Sequence, residues 1–228
     1  MRNAYNEDLR SISDQLVEMT RLAGSAIARA STALLDADLV LAESVITADH
    51  ELDDARENLD NFAIDLLARQ SPVATDLRTV VTAMRMSSDL ERMGDLARHV
   101  AKVARLRYPA SAVPPEMRAT IVQMSQVASR IVAKAGSVIA SRDLVEAAAL
   151  EREDDAMDDL HRQLFAHLAD PEFNLETQTA VDLTLVGRYY ERFADHAVSV
   201  ARRVTFLVTG DYDTVVDRED EEDAVLSS

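Results

Sequence analysis

The sequence contains neither cysteine nor tryptophan, and it has only five glycines and five prolines in 228 residues. Without cysteine the chain can form neither disulfides nor a thiolate metal site, which is typical of proteins of the reducing cytoplasm. No apolar run approaches the ~18 residues of a membrane span, and no secretory signal segment is recognisable. We therefore expect a cytoplasmic protein that does not insert into a membrane.

Basic residues are also scarce, since 24 lysines and arginines face 41 aspartates and glutamates and the formal net charge is −17. The segment after Gly210 carries eight acids and one base and contributes −7, which leaves −10 for the rest of the chain. A surface of this sign disfavours nucleic acid and anionic membranes as partners. It favours cations, or a basic patch on another protein.

The abundant residues are alanine, leucine, valine, arginine and the acids, a composition typical of helices, and prolines fall in only three places. Asp38 is a candidate N-cap and Gly210 a stop signal. The pattern predicts six helices, at roughly 5–35, 39–69, 76–107, 115–139, 144–168 and 175–208. Long helices with short connections pack antiparallel. The predicted fold is therefore all-α, with two tandem three-helix bundles.

Two stretches of the chain are repeated. Eight of 22 positions are identical between residues 38–59 and 143–164, and six of 18 between 89–106 and 189–206. A repeat period of about 105 residues predicts two units, each long enough for its own core. We place the first bundle at residues 1–108, a linker at 109–115, the second bundle at 116–210 and an acidic disordered tail at 211–228.

Carboxylates paired four residues apart occur in both repeats. The first quartet comprises Asp49, Asp53, Glu91 and Asp95, and the second quartet comprises Asp154, Asp158, Glu191 and Asp195. On a helical wheel the pairs lie beside or opposite the apolar stripes, so we expect them to face outward and to converge across the groove between neighbouring helices. Four carboxylates there would form an oxygen-only pocket suited to Mg²⁺, Mn²⁺, Ca²⁺ or iron.

An alternative is that these acids are ordinary solvated charges. Like charges at this spacing cost only about 0.2–0.5 kcal/mol per pair, which a protein tolerates without a metal. A structural helical adaptor without bound metal is therefore an alternative function for this protein. His99 and His161 are candidate nitrogen ligands, although histidines in such positions are more often simple surface residues. Arg92 and Arg192 are expected to brace neighbouring carboxylates, and they could also hold a phosphate.

The motifs of common enzymes are missing from the sequence. There is no glycine-rich phosphate loop, no G-x-S-x-G and no H-E-x-x-H. Di-iron carboxylate bundles direct Glu-x-x-His pairs toward their interior, whereas this chain has no such pair and its acids are expected to face outward. These observations disfavour a cation-storage or ferroxidase bundle, and we expect that the protein is not an enzyme.

Two further motifs connect the chain with a known family. Pro-x-Ala-x-Asp-Leu-Arg at residues 72–78 precedes the third predicted helix, and Leu-Glu-Arg-x-Gly-Asp lies within it at residues 90–95. With the Asp-x-x-x-Asp pair and the tandem bundles, these motifs resemble the PhoU family of bacterial phosphate-transport accessory proteins over residues 5–208. The resemblance implies a cytoplasmic regulator, commonly a homodimer, that connects the ATPase of the phosphate ABC importer to its sensor histidine kinase. It implies negative regulation: the protein modulates phosphate uptake and holds the phosphate-starvation response off when phosphate is plentiful.

The resemblance also implies that both quartets bind divalent or trivalent metal ions, for which Mg, Mn, Fe and Zn are the candidates. The second repeat departs from the family pattern, because Asp-Pro-Glu-Phe-Asn at residues 170–174 replaces the Pro-x-Ala-x-Asp-Leu-Arg segment and Ala194 replaces Gly94. We therefore expect a weaker or different second site. The alternative functions are a purely structural adaptor, or a paralogue diverted to another signalling role, without bound metal.

Overall fold

The computed structural model describes residues 2–170, 172–173 and 175–211. These residues form α1 (Arg2–Asp36), α2 (Leu39–Ala48), α3 (His50–Gln70), α4 (Thr75–Arg107), a 3₁₀ helix (Pro115–Met117), α5 (Arg118–Ser141), α6 (Leu144–Ala169) and α7 (Thr177–Thr209). No β-strand occurs among them, which confirms the predicted all-α class. None of the helices in this part of the chain is long and apolar enough to cross a bilayer. Apart from Asp211, the predicted disordered tail lies outside the described residues.

The helix boundaries follow from local capping. The Asp38 carboxylate accepts a hydrogen bond from the Leu41 N–H at 2.9 Å, and in the second repeat Asp143 accepts one from the Val145 N–H at 2.7 Å. These side chains satisfy terminal donors that have no partner within the helix. At the end of α7, Gly210 has a φ of 80°, the left-handed conformation that glycine adopts most easily. The predicted N-cap at Asp38 and stop at Gly210 are therefore confirmed.

The second predicted helix is not continuous, because a turn at Asp49 separates α2 from α3. Asp49 keeps helical backbone angles, with φ −55° and ψ −36°, and the Leu52 N–H donates to the Asp49 carbonyl at 3.1 Å. Such three-residue spacing is that of a 3₁₀ turn, which is tighter than an α-helix. The two helices therefore form one long segment, and a candidate ligand lies at its tightened turn.

Four long helices form the centre of the molecule. Helices α1 and α7 each pack against both α4 and α5. The α2–α3 segment covers α1 and α4. Helix α6 covers α5 and α7. Helices α4 and α7 run antiparallel, since Arg107 near the end of α4 pairs with Asp182 near the start of α7. At the opposite end, the Arg78 guanidinium lies 5.3 Å from the centre of the Phe206 ring. The division of the chain at residues 109–115 stays a prediction.

The predicted apolar stripes of α4 and α7 are buried. Leu90 and Met93 on α4 and Phe193 on α7 are fully covered, and the buried hydroxyl of Tyr190 lies 2.6 Å from the Oγ of Ser31 on α1. The buried residues form one continuous cluster through both halves, whereas the repeat predicted a separate core for each. The two cores merge because α1 and α4 pack against helices of the second half as well as against each other.

Candidate metal sites

The first quartet lies where the α2–α3 segment packs against α4. Asp49 is at the junction of α2 and α3 and Asp53 is in the first turn of α3, while Glu91 and Asp95 are one turn apart on α4. Arg98, a turn further along α4, donates hydrogen bonds to both Asp49 and Asp95 and so connects the two helices. The structure therefore brings these carboxylates to one groove, with a guanidinium between two of them.

These carboxylates are less exposed than the helical wheel predicts, because the neighbouring helix covers them. The side chains of Asp49, Asp95 and Glu91 are 8%, 16% and 19% exposed. Burial raises the pKa of Asp49, an effect that Arg98 opposes and that the charges of Asp53 and Asp95 reinforce. The pKa of Glu91 is also raised, first by burial and then by Asp95. The quartet therefore concentrates negative charge in a poorly hydrated groove.

The second quartet lies between α6 and α7. Asp154 and Asp158 are one turn apart on α6, and Glu191 and Asp195 are one turn apart on α7. The pKa of Asp154 is raised to about 7, first by burial and then by the charges of the other three acids. One oxygen of Asp154, Oδ1, is buried and accepts no hydrogen bond from the described residues. A protonated or cation-bound state of this carboxyl group is therefore favoured over a bare carboxylate.

Arg98 makes the two quartets different. The equivalent position of the second repeat holds Val198, which is 5% exposed and belongs to the core. The charges that act most strongly on Asp154 are all negative, whereas Arg98 partly compensates Asp49. Sequence reasoning missed Arg98, although its position three residues after Asp95 was an available signal, since residues three apart are neighbours on a helix surface.

The replacement of Gly94 by Ala194 has a packing explanation. A Cβ on Gly94 would lie 2.6 Å from Cδ1 of Leu52, because α3 and α4 approach closely there. Ala194 is fully buried at the equivalent place in α7, so the packing of the second half accommodates its methyl group. The replacement therefore affects how closely neighbouring helices approach and leaves the four candidate ligands unchanged. It gives no reason to expect weaker metal binding by the second quartet.

The two candidate histidines lie beside the quartets. The His99 ring packs on Tyr189 of α7 with ring centres 5.2 Å apart, and burial lowers its pKa. His161 packs edge-on against Phe165 at 4.7 Å, and its buried Nε2 has no hydrogen-bond partner in the described part of the chain.

Across residues 2–170, 172–173 and 175–211, no three His, Asp or Glu side chains stand in the arrangement of a ready-made metal site. Binding a cation therefore requires these carboxylates to reorient.

Comparison with known proteins relates this architecture to one family. The family model described as the PhoU domain matches residues 16–104 and 121–204, one match in each half of the chain. Proteins of Mycobacterium bovis and Mycobacterium tuberculosis, both named phosphate-specific transport system accessory protein PhoU homolog 2, are 50% identical over 210 residues, covering 92% of this chain and 99% of theirs. The Mycobacterium leprae protein named PhoU homolog 1 is 49% identical over 212 residues, covering 93% of this chain and 96% of its own.

Two solved structures have the same architecture. The crystal structure of PhoU from Pseudomonas aeruginosa has a TM-score of 0.81 and 29% identity, covering 92% of this chain and 100% of that one. The phosphate transport system regulatory protein PhoU from Streptococcus pneumoniae has a TM-score of 0.82 and covers 91% of this chain and 98% of its own. Its identity is 22%, so that likeness concerns the fold alone. These matches confirm the predicted fold of tandem helical bundles.

Proposed function

Because this chain belongs to the PhoU family, we propose that it is an accessory protein that regulates phosphate transport. The observation that carries the proposal is the match of PhoU domains to both halves of the chain. Relatives named as accessory proteins of the phosphate-specific transport system align over nearly their whole length, which supports a role of this chain in phosphate transport.

In this role the protein holds the phosphate-starvation response off while phosphate is plentiful, by contacting the importer ATPase and its sensor histidine kinase. The excess of acidic over basic residues suits docking on basic patches of such partners, because complementary charge steers encounter and suppresses wrong partners. The protein acts in the cytoplasm as a homodimer, and it acts by contact and not by catalysis.

The second quartet is the part of the molecule that best fits a metal ion. Its carboxylate oxygens are hard ligands of the kind that Mg²⁺, Mn²⁺ and Fe³⁺ prefer. Asp154 supports this assignment, since its buried Oδ1 lacks a hydrogen-bond partner among the described residues and three further acids raise its pKa. A bound ion would supply positive charge between α6 and α7. The first quartet already holds the Arg98 guanidinium, and it would take a second ion only after that side chain leaves.

Deleting the gene and measuring transcription of phosphate-scavenging genes in high phosphate tests the regulatory proposal. We expect those genes to remain switched on in the deletion strain and to be repressed again by the wild-type gene. A gene carrying Asp154→Asn with Asp195→Asn should restore repression only in part. Unchanged transcription after deletion would contradict the regulatory role, whereas full rescue by the double variant would contradict only the role of the metal ion.

A structural adaptor without bound metal is the second candidate, and Arg98 is the observation that favours it. Its guanidinium holds Asp49 and Asp95 together without any ion. Calorimetry with Mg²⁺, Mn²⁺ and Fe³⁺ on the purified protein distinguishes the two candidates. Saturable binding that Asp154→Asn removes supports the metal-binding regulator, and the absence of binding heat with all three ions supports the adaptor.

A further inference from the structure

The arginine within each Glu-Arg-x-x-Asp motif belongs to neither quartet. Arg92 on α4 and Arg192 on α7 occupy equivalent positions of the two repeats, 100 residues apart. Both line a single groove between α4 and α7, on the seam where the two halves meet. Besides the two quartets, the duplication therefore creates one central site to which both repeats contribute.

This groove has a volume of about 480 Å³, and its lining includes Arg92, His99, Arg188, Tyr189, Arg192 and His196. Small-molecule sites typically have volumes of about 300–1,000 Å³. Three guanidinium groups and one carboxylate line this groove, in a chain whose net charge is −17. Such a local concentration of positive charge favours an anion, against the potential of the surrounding surface.

The arginines of the groove retain donors for a ligand. Arg92 donates to Asp95 at 2.9 Å, and Arg188 donates to Glu191 of the second quartet. A guanidinium has five N–H donors, so both side chains keep donors for a ligand. Arg192 forms no ion pair with any residue that the structure describes. Asp95 is the carboxylate in the lining, and because Arg98 also donates to it, its charge is compensated from two sides.

Aromatic and imidazole rings also line the groove. His99 and Tyr189 meet across the two helices, with ring centres 5.2 Å apart and planes inclined by 37°, and Leu96 also lines the groove. The Nδ1 atom of His196 on α7 lies 3.3 Å from the carboxylate of Asp89 on α4, which positions the imidazole ring. Rings beside an apolar side chain suit the stacking of a planar organic group.

We propose that this groove binds a phosphate ester of nucleotide size. Arg92 and Arg192 clamp the phosphate oxygens, because planar guanidinium groups form paired, charge-assisted hydrogen bonds with oxyanions. The planar organic part of the ligand stacks on Tyr189. The groove borders both quartets, since Asp95 of the first lines it and Arg188 pairs with Glu191 of the second. The proposal does not depend on the regulatory role.

Calorimetric titration of the full chain with AMP, adenosine and inorganic phosphate tests this assignment. AMP should bind, and adenosine should bind at least about tenfold more weakly because it lacks the charge-assisted hydrogen bonds. Arg192→Gln should also weaken AMP binding by about tenfold or more. Arg130→Gln is the matched control, since Arg130 is exposed on α5 outside the groove lining and its loss changes the net charge equally.

Tyr189→Leu separates the contribution of the ring from that of the phosphate. This variant should bind AMP more weakly and inorganic phosphate unchanged. The proposal is overturned if AMP does not bind at millimolar concentration, or if the Arg192→Gln and Arg130→Gln proteins bind AMP equally well. Inorganic phosphate that binds as tightly as AMP would overturn the assignment of a nucleotide-sized ligand.

Discussion

Arg98 distinguishes two carboxylate sites that the repeat made equivalent in sequence. Its guanidinium donates to Asp49 and Asp95, whose side chains are only 8% and 16% exposed. A guanidinium cannot be deprotonated in proteins, so the first quartet carries its own positive charge at every physiological pH. Val198 at the equivalent position is an apolar core residue. Arg188 pairs with Glu191 of the second quartet, but the charges that act most strongly on Asp154 are all negative, so Asp154 depends on a proton or a bound cation for compensation.

Arg98→Val should open the first quartet to a cation. In calorimetry with Mn²⁺, we expect about one ion per wild-type chain and about two per variant chain, since the loss of Arg98 leaves Asp49 without the guanidinium that pairs with it. Without metal, the variant should lose about 1–3 kcal/mol of stability because Asp49 is left buried without its partner. Asp154→Asn serves as the control that removes the ion of the second quartet. An unchanged stoichiometry in the Arg98→Val protein would contradict this account.

Asp154 should make the stability of the metal-free protein depend on pH. Its pKa rises from 3.8 to about 7 on folding, so between these values the folded state holds a proton that the unfolded state has released. The free energy of unfolding therefore falls as the pH rises from about 4 to about 7. Asp154→Asn should reduce the fall in melting temperature between pH 5 and pH 7.5 by roughly 5–10 °C, which corresponds to about 2–3 kcal/mol for a chain of this length.

Asp159→Asn is the matched control for this pH series, because Asp159 is exposed on the same helix and is not among the charges that raise the pKa of Asp154. The measurement is thermal unfolding in the presence of a chelator, followed by circular dichroism. If the two variants show the same dependence of melting temperature on pH, Asp154 does not carry the effect.

At the scale of helices, the close approach of α3 and α4 determines how the first quartet is assembled. Gly94 permits that approach, since a Cβ there would lie 2.6 Å from Cδ1 of the buried Leu52. Asp49 contributes from the tightened turn between α2 and α3, where its carboxylate does not cap α3 and instead pairs with Arg98. The first quartet therefore depends on the close spacing of α3 and α4 and on the turn at Asp49, and neither helix contains the site alone.

Gly94→Val should force α3 and α4 apart. Overpacking a buried contact of this kind costs about 1–3 kcal/mol, which urea denaturation would show as a lower midpoint. Ala148→Val enlarges a side chain by two methyl groups at an exposed position of α6. It should lower the free energy of unfolding by less than about 1 kcal/mol. Equal losses in the two variants would mean that helix propensity, and not packing against Leu52, explains the effect.

At the scale of the whole molecule, the two halves are joined by one core and by polar contacts across the seam. Asp182 on α7 is 3% exposed and pairs with Arg107 of α4. Asp89 of α4 accepts a hydrogen bond from Arg203 of α7 at 2.7 Å. These contacts place charged pairs at the borders of the merged core, so the two halves should not unfold independently.

Thermal unfolding should therefore occur in one cooperative transition, with calorimetric and van't Hoff enthalpies that agree. Asp182→Asn should lower the free energy of unfolding by about 1–3 kcal/mol and therefore the transition temperature, because it removes the charge of one partner in a largely buried pair. Asp159→Asn breaks a pair with Arg162 that is exposed on both sides, and it should cost less than about 1 kcal/mol. Two resolved transitions, in the wild type or in the Asp182→Asn protein, would contradict a single cooperative unit.

The sequence alone determined the features that depend on neighbours along the chain. Helical periodicity, the cap at Asp38 and the stop at Gly210 rest on contacts within a few residues, as does the spacing of the paired carboxylates. The stripes that include Leu90 and Phe193 were predictable for the same reason, and both residues are buried. The repeated motifs also indicated the family, because they lie in the segments that the PhoU domain model matches.

Only the tertiary structure decided how these elements meet. Arg98 lies in the first quartet, and Arg92 and Arg192 share one groove, because α4 packs against α3 on one side and α7 on the other. A helical wheel places a residue on a face, but it does not state which helix covers that face or how closely. The burial of Asp154 and the union of the two cores depend on those long-range contacts, since desolvation arises from chain segments that are distant in sequence.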